Sequence, residues 1–253
     1  MPAALSEIDL PERAGGSRGL TTVLGVPDGA GPWPAVVMVH EAYGINDVMR
    51  RQVERLTSAG YLVLMPDLFA QGGARRCLVS TFRALRAGEG RAFVDIERAR
   101  EWLLAREDCT GRVGILGFCM GGGFALAAAS GRGFDVASAN YGMLPANLDD
   151  DLRGACPIVA SFGGRDRSLR GAADRLEASL ERLDVPHDVK EYPEAGHAFL
   201  NDADSGPLAA RLLFTRFLGL GPNPEAATDA WQRIERFFAA ALGDPATQPG
   251  IPD

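Results

Sequence analysis

Short apolar runs separated by amphipathic stretches recur along the whole chain. Residues 35–39, 61–65, 113–118, 137–141 and 157–162 are almost wholly apolar. Runs of that length mark strands covered on both faces of a parallel sheet. Between them the period changes. Residues 47–59 set Val48, Val53 and Leu56 on one stripe and stop at Gly60, a residue suited to a left-handed helix cap. Residues 91–106 carry Phe93, Ile96, Trp102, Leu103 and Leu104 among charges, and 168–183 and 229–242 repeat that pattern. Strands alternating with helices predict an α/β fold, a mostly parallel central sheet with helices on both faces. Residues 21–26 predict a first strand, antiparallel and at the sheet edge, and 189–192 a final one. One domain over 1–253 is expected, with 243–253 a frayed tail.

Gly117-Phe118-Cys119-Met120-Gly121 lies between an apolar run and a helical stretch at 122–129. Strand, sharp turn and helix is the setting of a nucleophile elbow, here with a thiol where the usual motif has a hydroxyl. Cys119 is therefore the predicted nucleophile. The other reading of a free cysteine, a small buried apolar residue, needs no elbow around it.

A thiol nucleophile needs a base to take its proton and a third group to orient that base. His197, in Glu194-Ala195-Gly196-His197-Ala198-Phe199, follows the predicted final strand, and Asp166, in Gly163-Gly164-Arg165-Asp166-Arg167, follows the run ending at Phe162. Both stand at C-terminal strand ends, the edge at which open α/β sheets bind ligands. The order Cys119, Asp166, His197 is the nucleophile, acid and histidine order of α/β-hydrolases. Asp166 has a second reading, as an Asx turn or the cap of a helix near Ser168. His187 reads as a surface strand-entry residue and His40, at the end of a buried run, as a packed or hydrogen-bonded one.

Glu41, in Val39-His40-Glu41-Ala42-Tyr43-Gly44, falls on the loop after a central strand. That loop supplies one oxyanion-hole amide in such folds, so the backbone N–H groups of Ala42 and Met120 are the predicted donors. Glu41 itself has two readings. It holds or accepts the cysteine proton, because two negative charges in a tight site disfavour each other, or it caps the helix entering near Asn46 and Asp47.

The formal charge of −7 argues against a nucleic-acid surface. No apolar run is long enough to span a membrane, and the first residues lack a basic-then-apolar leader. The four cysteines have no metal-ligand spacing, and reduced thiols in a cytoplasm are the expectation. Neither a metal nor an organic cofactor is implied, and the oligomeric state is left open.

The motifs taken together resemble the dienelactone hydrolase family of α/β-hydrolases. They are His-Glu-Ala-Tyr-Gly at 40–44, Pro-Asp-Leu-Phe at 66–69, Gly-Phe-Cys-Met-Gly-Gly at 117–122, Gly-Gly-Arg-Asp at 163–166 and Ala-Gly-His-Ala-Phe at 195–199. The resemblance implies the α/β-hydrolase fold and a Cys-His-Asp triad that cleaves a small ester or lactone through an acyl-enzyme. It also implies that Glu41 controls the protonation of Cys119.

The chain departs from the family at the substrate. The best-known members hold a substrate carboxylate with two arginines, and one of those positions is Asn201 here. A bidentate charged anchor is lost there. Arg75, Arg76 and Arg83, after Pro66-Asp67-Leu68-Phe69, are an alternative anion clamp or an ordinary solvated face. Tyr43 and Asn201 are carried as further substrate contacts. Two other functions stay open: a true carboxymethylenebutenolidase of aromatic degradation, and a non-hydrolytic thiol sensor or binding protein on the same fold.

Overall fold

The elements come from a computed structural model that describes residues 4–205 and 218–243. The strands are β1 Leu5–Leu10, β2 Leu20–Gly25, β3 Trp33–Val39, β4 Leu62–Pro66, β5 Cys109–Phe118, β6 Val136–Asn140, β7 Ile158–Gly163 and β8 His187–Tyr192. The helices are α1 Asp47–Ser58, α2 Ala74–Ala87, α3 Arg91–Leu104, α4 Met120–Ala128, the short α5 Leu148–Asp151, α6 Ala172–Arg182 and α7 Pro224–Leu242. Together the strands make one eight-stranded sheet in the order β1-β2-β4-β3-β5-β6-β7-β8. Neighbours from β4 to β8 pair in parallel, while β1 with β2 and β2 with β4 are antiparallel. Among the described residues this is the α/β-hydrolase arrangement expected from the motifs.

Alternation along each strand divides the core in two. Ala35, Val37 and Val39 of β3 face one cluster with α2, α3, α4 and α6. Val36 and Met38 face the other, with α1 and α7. A strand with both faces buried must be apolar at every position, which is why the central strands were legible as continuous runs.

One expectation needs correction, and one element was not anticipated. Residues 21–26 do form an antiparallel strand, but β2 is not the edge, because β1 pairs along its whole length from Leu5↔Gly25 to Leu10↔Leu20. β1 is largely exposed and so carries no continuous apolar pattern. The segment after Pro66-Asp67-Leu68-Phe69 is a helix, α2, whose buried positions Cys77, Thr81 and Leu85 recur every fourth residue. A cysteine and a threonine on that stripe hide its period. Residues 244–253, most of the expected tail, lie outside the described residues.

Register is what gathers the site. Val39 of β3 lies opposite Gly117 of β5, Phe118 opposite Asn140 of β6, and Asn140 opposite Ser161 of β7. β7 and β8 align through Gly163↔Tyr192. The loops carrying Glu41, Cys119, Asp166 and His197 therefore leave the sheet side by side at one edge.

Candidate active site

Cys119 occupies a backbone position that side chains rarely adopt, with φ 54 and ψ −115, between the last residue of β5 and the first of α4. Strain of this kind, about 1–3 kcal/mol, persists only where the surroundings enforce it. The enforcement is visible in the hydrogen bonds. The Cys119 N–H donates to Asn140 O at 3.0 Å, the Asn140 side-chain amide donates to Gly117 O at 3.2 Å, and the Cys119 carbonyl accepts the Gly123 N–H at 3.2 Å. Close packing holds the turn from the other side, where a Cβ on Gly121 would lie 2.1 Å from Val39 O. The thiol is half-buried at the head of α4 rather than sealed in the core.

Asp166 uses its two carboxylate oxygens for different tasks. Oδ1 accepts from the Ser168 N–H at 3.0 Å and the Ser168 hydroxyl at 2.6 Å. Oδ2 accepts from His197 Nδ1 at 2.6 Å. The Asx-turn reading and the acid reading of Asp166 are both realised, because a carboxylate has enough lone pairs for both. Burial alone would push this carboxyl up, but the hydrogen bond and charge of His197, with the Ser168 donors, hold it below the ordinary value.

His197 is pinned by its backbone, its N–H donating to Leu218 O at 2.8 Å and its carbonyl accepting the Gly221 N–H at 3.2 Å. Its ring is also within electrostatic reach of the Cys119 side chain. Burial works to lower this imidazole, and the negative charge of Cys119, with the hydrogen bond to and charge of Asp166, outweighs it and raises the group to about 10. Asp166 and His197 are thus hydrogen-bonded to each other, with Cys119 near enough for its charge to act on the imidazole. The Tyr141 ring leans on the imidazole with centroids 5.1 Å apart.

Glu41 is 2% exposed. Its Oε1 accepts from the Asn46 amide at 3.3 Å and its Oε2 from the Asn201 amide at 3.2 Å. It does not cap α1; Asn46 does, accepting the Met49 N–H at 3.0 Å. Tyr43 is half-buried, and its hydroxyl is raised by burial and then by the charges of Glu41 and Cys119. Tyr141 is raised well above its ordinary value by burial and the same two charges. Among the described residues, neither the Ala42 nor the Met120 N–H has a protein acceptor. Asn201 is buried, its amide spent on Glu41 and Ser205. Arg75, Arg76 and Arg83 stand exposed on α2, with no ion-pair partner among the described residues.

His40 is a packed histidine, as its position at the end of a buried run suggested. Its Nε2 accepts the Leu68 N–H at 3.1 Å and its Nδ1 faces Glu41 O at 2.7 Å, so the proton sits on Nδ1. The imidazole staples the Glu41 loop to the loop carrying Pro66-Asp67-Leu68-Phe69. His187 opens β8 half-buried, with Nδ1 donating to Val185 O at 2.7 Å. Sequence reasoning missed Asn46, Tyr141, Asn140 and Ser168 as supports of the site. A polar or aromatic residue at the C-terminal end of a buried run, as at Asn140 and Tyr141, was the available signal. Among the described residues no cluster of three or more His, Cys, Asp or Glu side chains is placed to hold a metal ion, and no helix there is long and apolar enough to cross a membrane.

Comparison with known proteins agrees with this geometry. The model of the dienelactone hydrolase family matches residues 20–242. A Yersinia pestis protein named "Putative carboxymethylenebutenolidase" is 29% identical over 227 residues, spanning 82% of this chain and 78% of its own. A Methylorubrum extorquens protein of the same name is 27% identical over 232 residues, spanning 84% and 74%. The crystal structure "Putative Dienelactone Hydrolase" from Klebsiella pneumoniae superposes with a TM-score of 0.75 at 25% identity, covering 93% of this chain and 98% of that one. The chain therefore belongs to the dienelactone hydrolase family and is an ester or lactone hydrolase.

Proposed function

We propose that Cys119, His197 and Asp166 form a catalytic triad that cleaves a small ester or lactone through a thioester intermediate. The observation that carries this reading is the hydrogen bond from His197 to Asp166 together with a cysteine held at positive φ whose charge acts on that imidazole. The Cys119 thiolate adds to the substrate carbonyl carbon, and the resulting oxyanion accepts from the Ala42 and Met120 N–H groups. Collapse breaks the bond to the alcohol or enol oxygen, which takes its proton from His197. His197 then accepts a proton from water, whose oxygen attacks the thioester carbon. The acid product leaves and the thiolate is restored. Glu41, on the loop next to the elbow, governs whether Cys119 carries its proton between turnovers. The four cysteines, none in a disulfide, favour a reducing, cytoplasmic setting.

Replacing Cys119 by alanine tests the triad directly. Turnover of p-nitrophenyl acetate should vanish while the far-UV circular dichroism spectrum is retained. Unchanged turnover would remove Cys119 from the mechanism.

A second reading, that the substrate is a carboxylate-bearing dienelactone, is favoured by the relatives named above and by the exposed arginines of α2. On this reading Arg75, Arg76 and Arg83 meet the substrate carboxylate. The combined Arg75→Ala, Arg76→Ala, Arg83→Ala variant should then raise KM for the dienelactone and spare that for the uncharged aryl ester. Equal changes for both substrates count against the clamp.

A further inference from the structure

Asn201 stands where the best-known members of the family keep an arginine for the substrate, yet its side chain is committed elsewhere. It is 3% exposed. Its amide donates to Glu41 Oε2 at 3.2 Å and to Ser205 Oγ at 3.4 Å, while its Oδ1 faces the Tyr141 hydroxyl at 3.5 Å. Turned over, the amide would set its carbonyl oxygen against the Glu41 carboxylate, an acceptor facing an acceptor, so its orientation is chemically determined. The opposite oxygen of Glu41 is held in the same way by Asn46, which is itself anchored as the cap of α1.

We infer that Asn201 is a positioning residue that holds Glu41 beside the thiol, and not a contact for the substrate, with Asn46 as its counterpart on the other oxygen. A carboxylate this buried needs hydrogen-bond partners. Two amides supply them on both oxygens without bringing a cation that would cancel the negative charge felt at Tyr43 and Tyr141. The clamp also removes the rotational freedom of the carboxylate, so that one fixed group stands on the loop next to the elbow. Tyr141 ties the arrangement to the base, because its ring lies against His197 while its hydroxyl points to Asn201. This inference rests on the triad reading, in which Glu41 serves the thiol.

The experiment compares wild type with Asn201→Ala, Asn201→Asp, Glu41→Gln and the Asn201→Ala, Glu41→Gln double variant, with Cys119→Ala as reference. Two quantities are read: steady-state hydrolysis of p-nitrophenyl acetate, and the rate at which iodoacetamide alkylates Cys119, followed by mass spectrometry of its peptide. Asn201→Ala should lower kcat about tenfold, the scale of one hydrogen bond to a carboxylate, with KM unchanged within about twofold. Asn201→Asp, nearly isosteric, should lower kcat further by setting a second carboxylate against the first, and it serves if the alanine variant does not fold. In the Glu41→Gln background the alanine change should add less than about twofold, since a residue acting only through Glu41 has nothing left to act on. The alkylation rate should follow the same pattern.

A raised KM with unchanged kcat would make Asn201 a substrate contact and overturn the inference. So would additive effects of Asn201→Ala and Glu41→Gln, or wild-type kinetics in both Asn201 variants. If Cys119→Ala keeps full activity, the triad reading itself fails. If Cys119→Ala is inactive and the Asn201 variants behave as wild type, only the positioning role fails.

Discussion

The backbone of Gly117 lies so close to that of Gly121 that a Cβ on Gly117 would stand 1.9 Å from the Gly121 carbonyl oxygen. The obstacle is backbone at the first turn of α4, which cannot move aside without shifting the helix. Gly117→Ala should therefore cost roughly 3 kcal/mol or more of stability and displace Cys119 from its place at the head of α4. Urea denaturation measures the first effect and p-nitrophenyl acetate turnover the second. A variant with wild-type stability would show that the elbow is looser than this packing implies.

His40 and His197 should give stability opposite dependences on pH. His197 is raised to about 10 in the fold, so its contribution is complete below the unfolded value of about 6.5 and is lost as pH rises through about 10. His40 is lowered, burial being the largest cause. Its contribution is complete above about 6.5 and is lost as pH falls through the lowered value. His197→Gln should flatten the alkaline side of a stability profile and His40→Gln the acid side, as read by urea unfolding between about pH 5 and pH 10. The same flattening in both variants would refute the assignment.

Arg233 ties α7 to the sheet away from the reacting groups. Its guanidinium donates to Asp188 Oδ1 at 2.7 Å, Asp188 Oδ2 at 3.0 Å, Ser161 Oγ at 3.2 Å and the Tyr192 hydroxyl at 3.2 Å. Arg233→Met should lower stability by roughly 2–3 kcal/mol, because buried acceptors lose their donor while Asp188 stays hydrated. Activity per folded molecule should not change. A selective loss of kcat at full stability would contradict this division.

Burial pushes the Cys156 thiol up to about 12 and raises Cys109 as well. Near neutral pH both should react with iodoacetamide far more slowly than an unstructured cysteine, since the thiolate is the nucleophile. Peptide mapping of partially alkylated protein checks this. Early labelling of Cys156 would show that its region opens readily.

The parts of the fold that could be read along the chain were those whose environment is uniform. β3, β4, β5, β6 and β7 are buried on both faces and announce themselves as apolar runs. β1 could not be read, because an exposed edge strand owes its existence to the backbone bonds offered by β2 rather than to its own side chains. α2 was missed for a related reason, since its buried stripe uses Cys77 and Thr81 where a helix stripe normally carries larger apolar residues.

The residues of the site divide in the same way. Cys119, Asp166, His197 and Glu41 could be named as candidates from their motifs and strand-end positions, because the proposed chemistry requires those residue types at those loops. Their connections could not. The sharing of Asp166 between His197 and Ser168, and the burial of Asn201 against Glu41, join residues far apart in the chain. Spacing within one segment carries no information about such pairs, which meet only when parallel strands align their ends. The linear order of residues determined the family and named the groups proposed to react. The tertiary structure decided what holds them, turning Asn201 from a missing substrate anchor into a partner of Glu41.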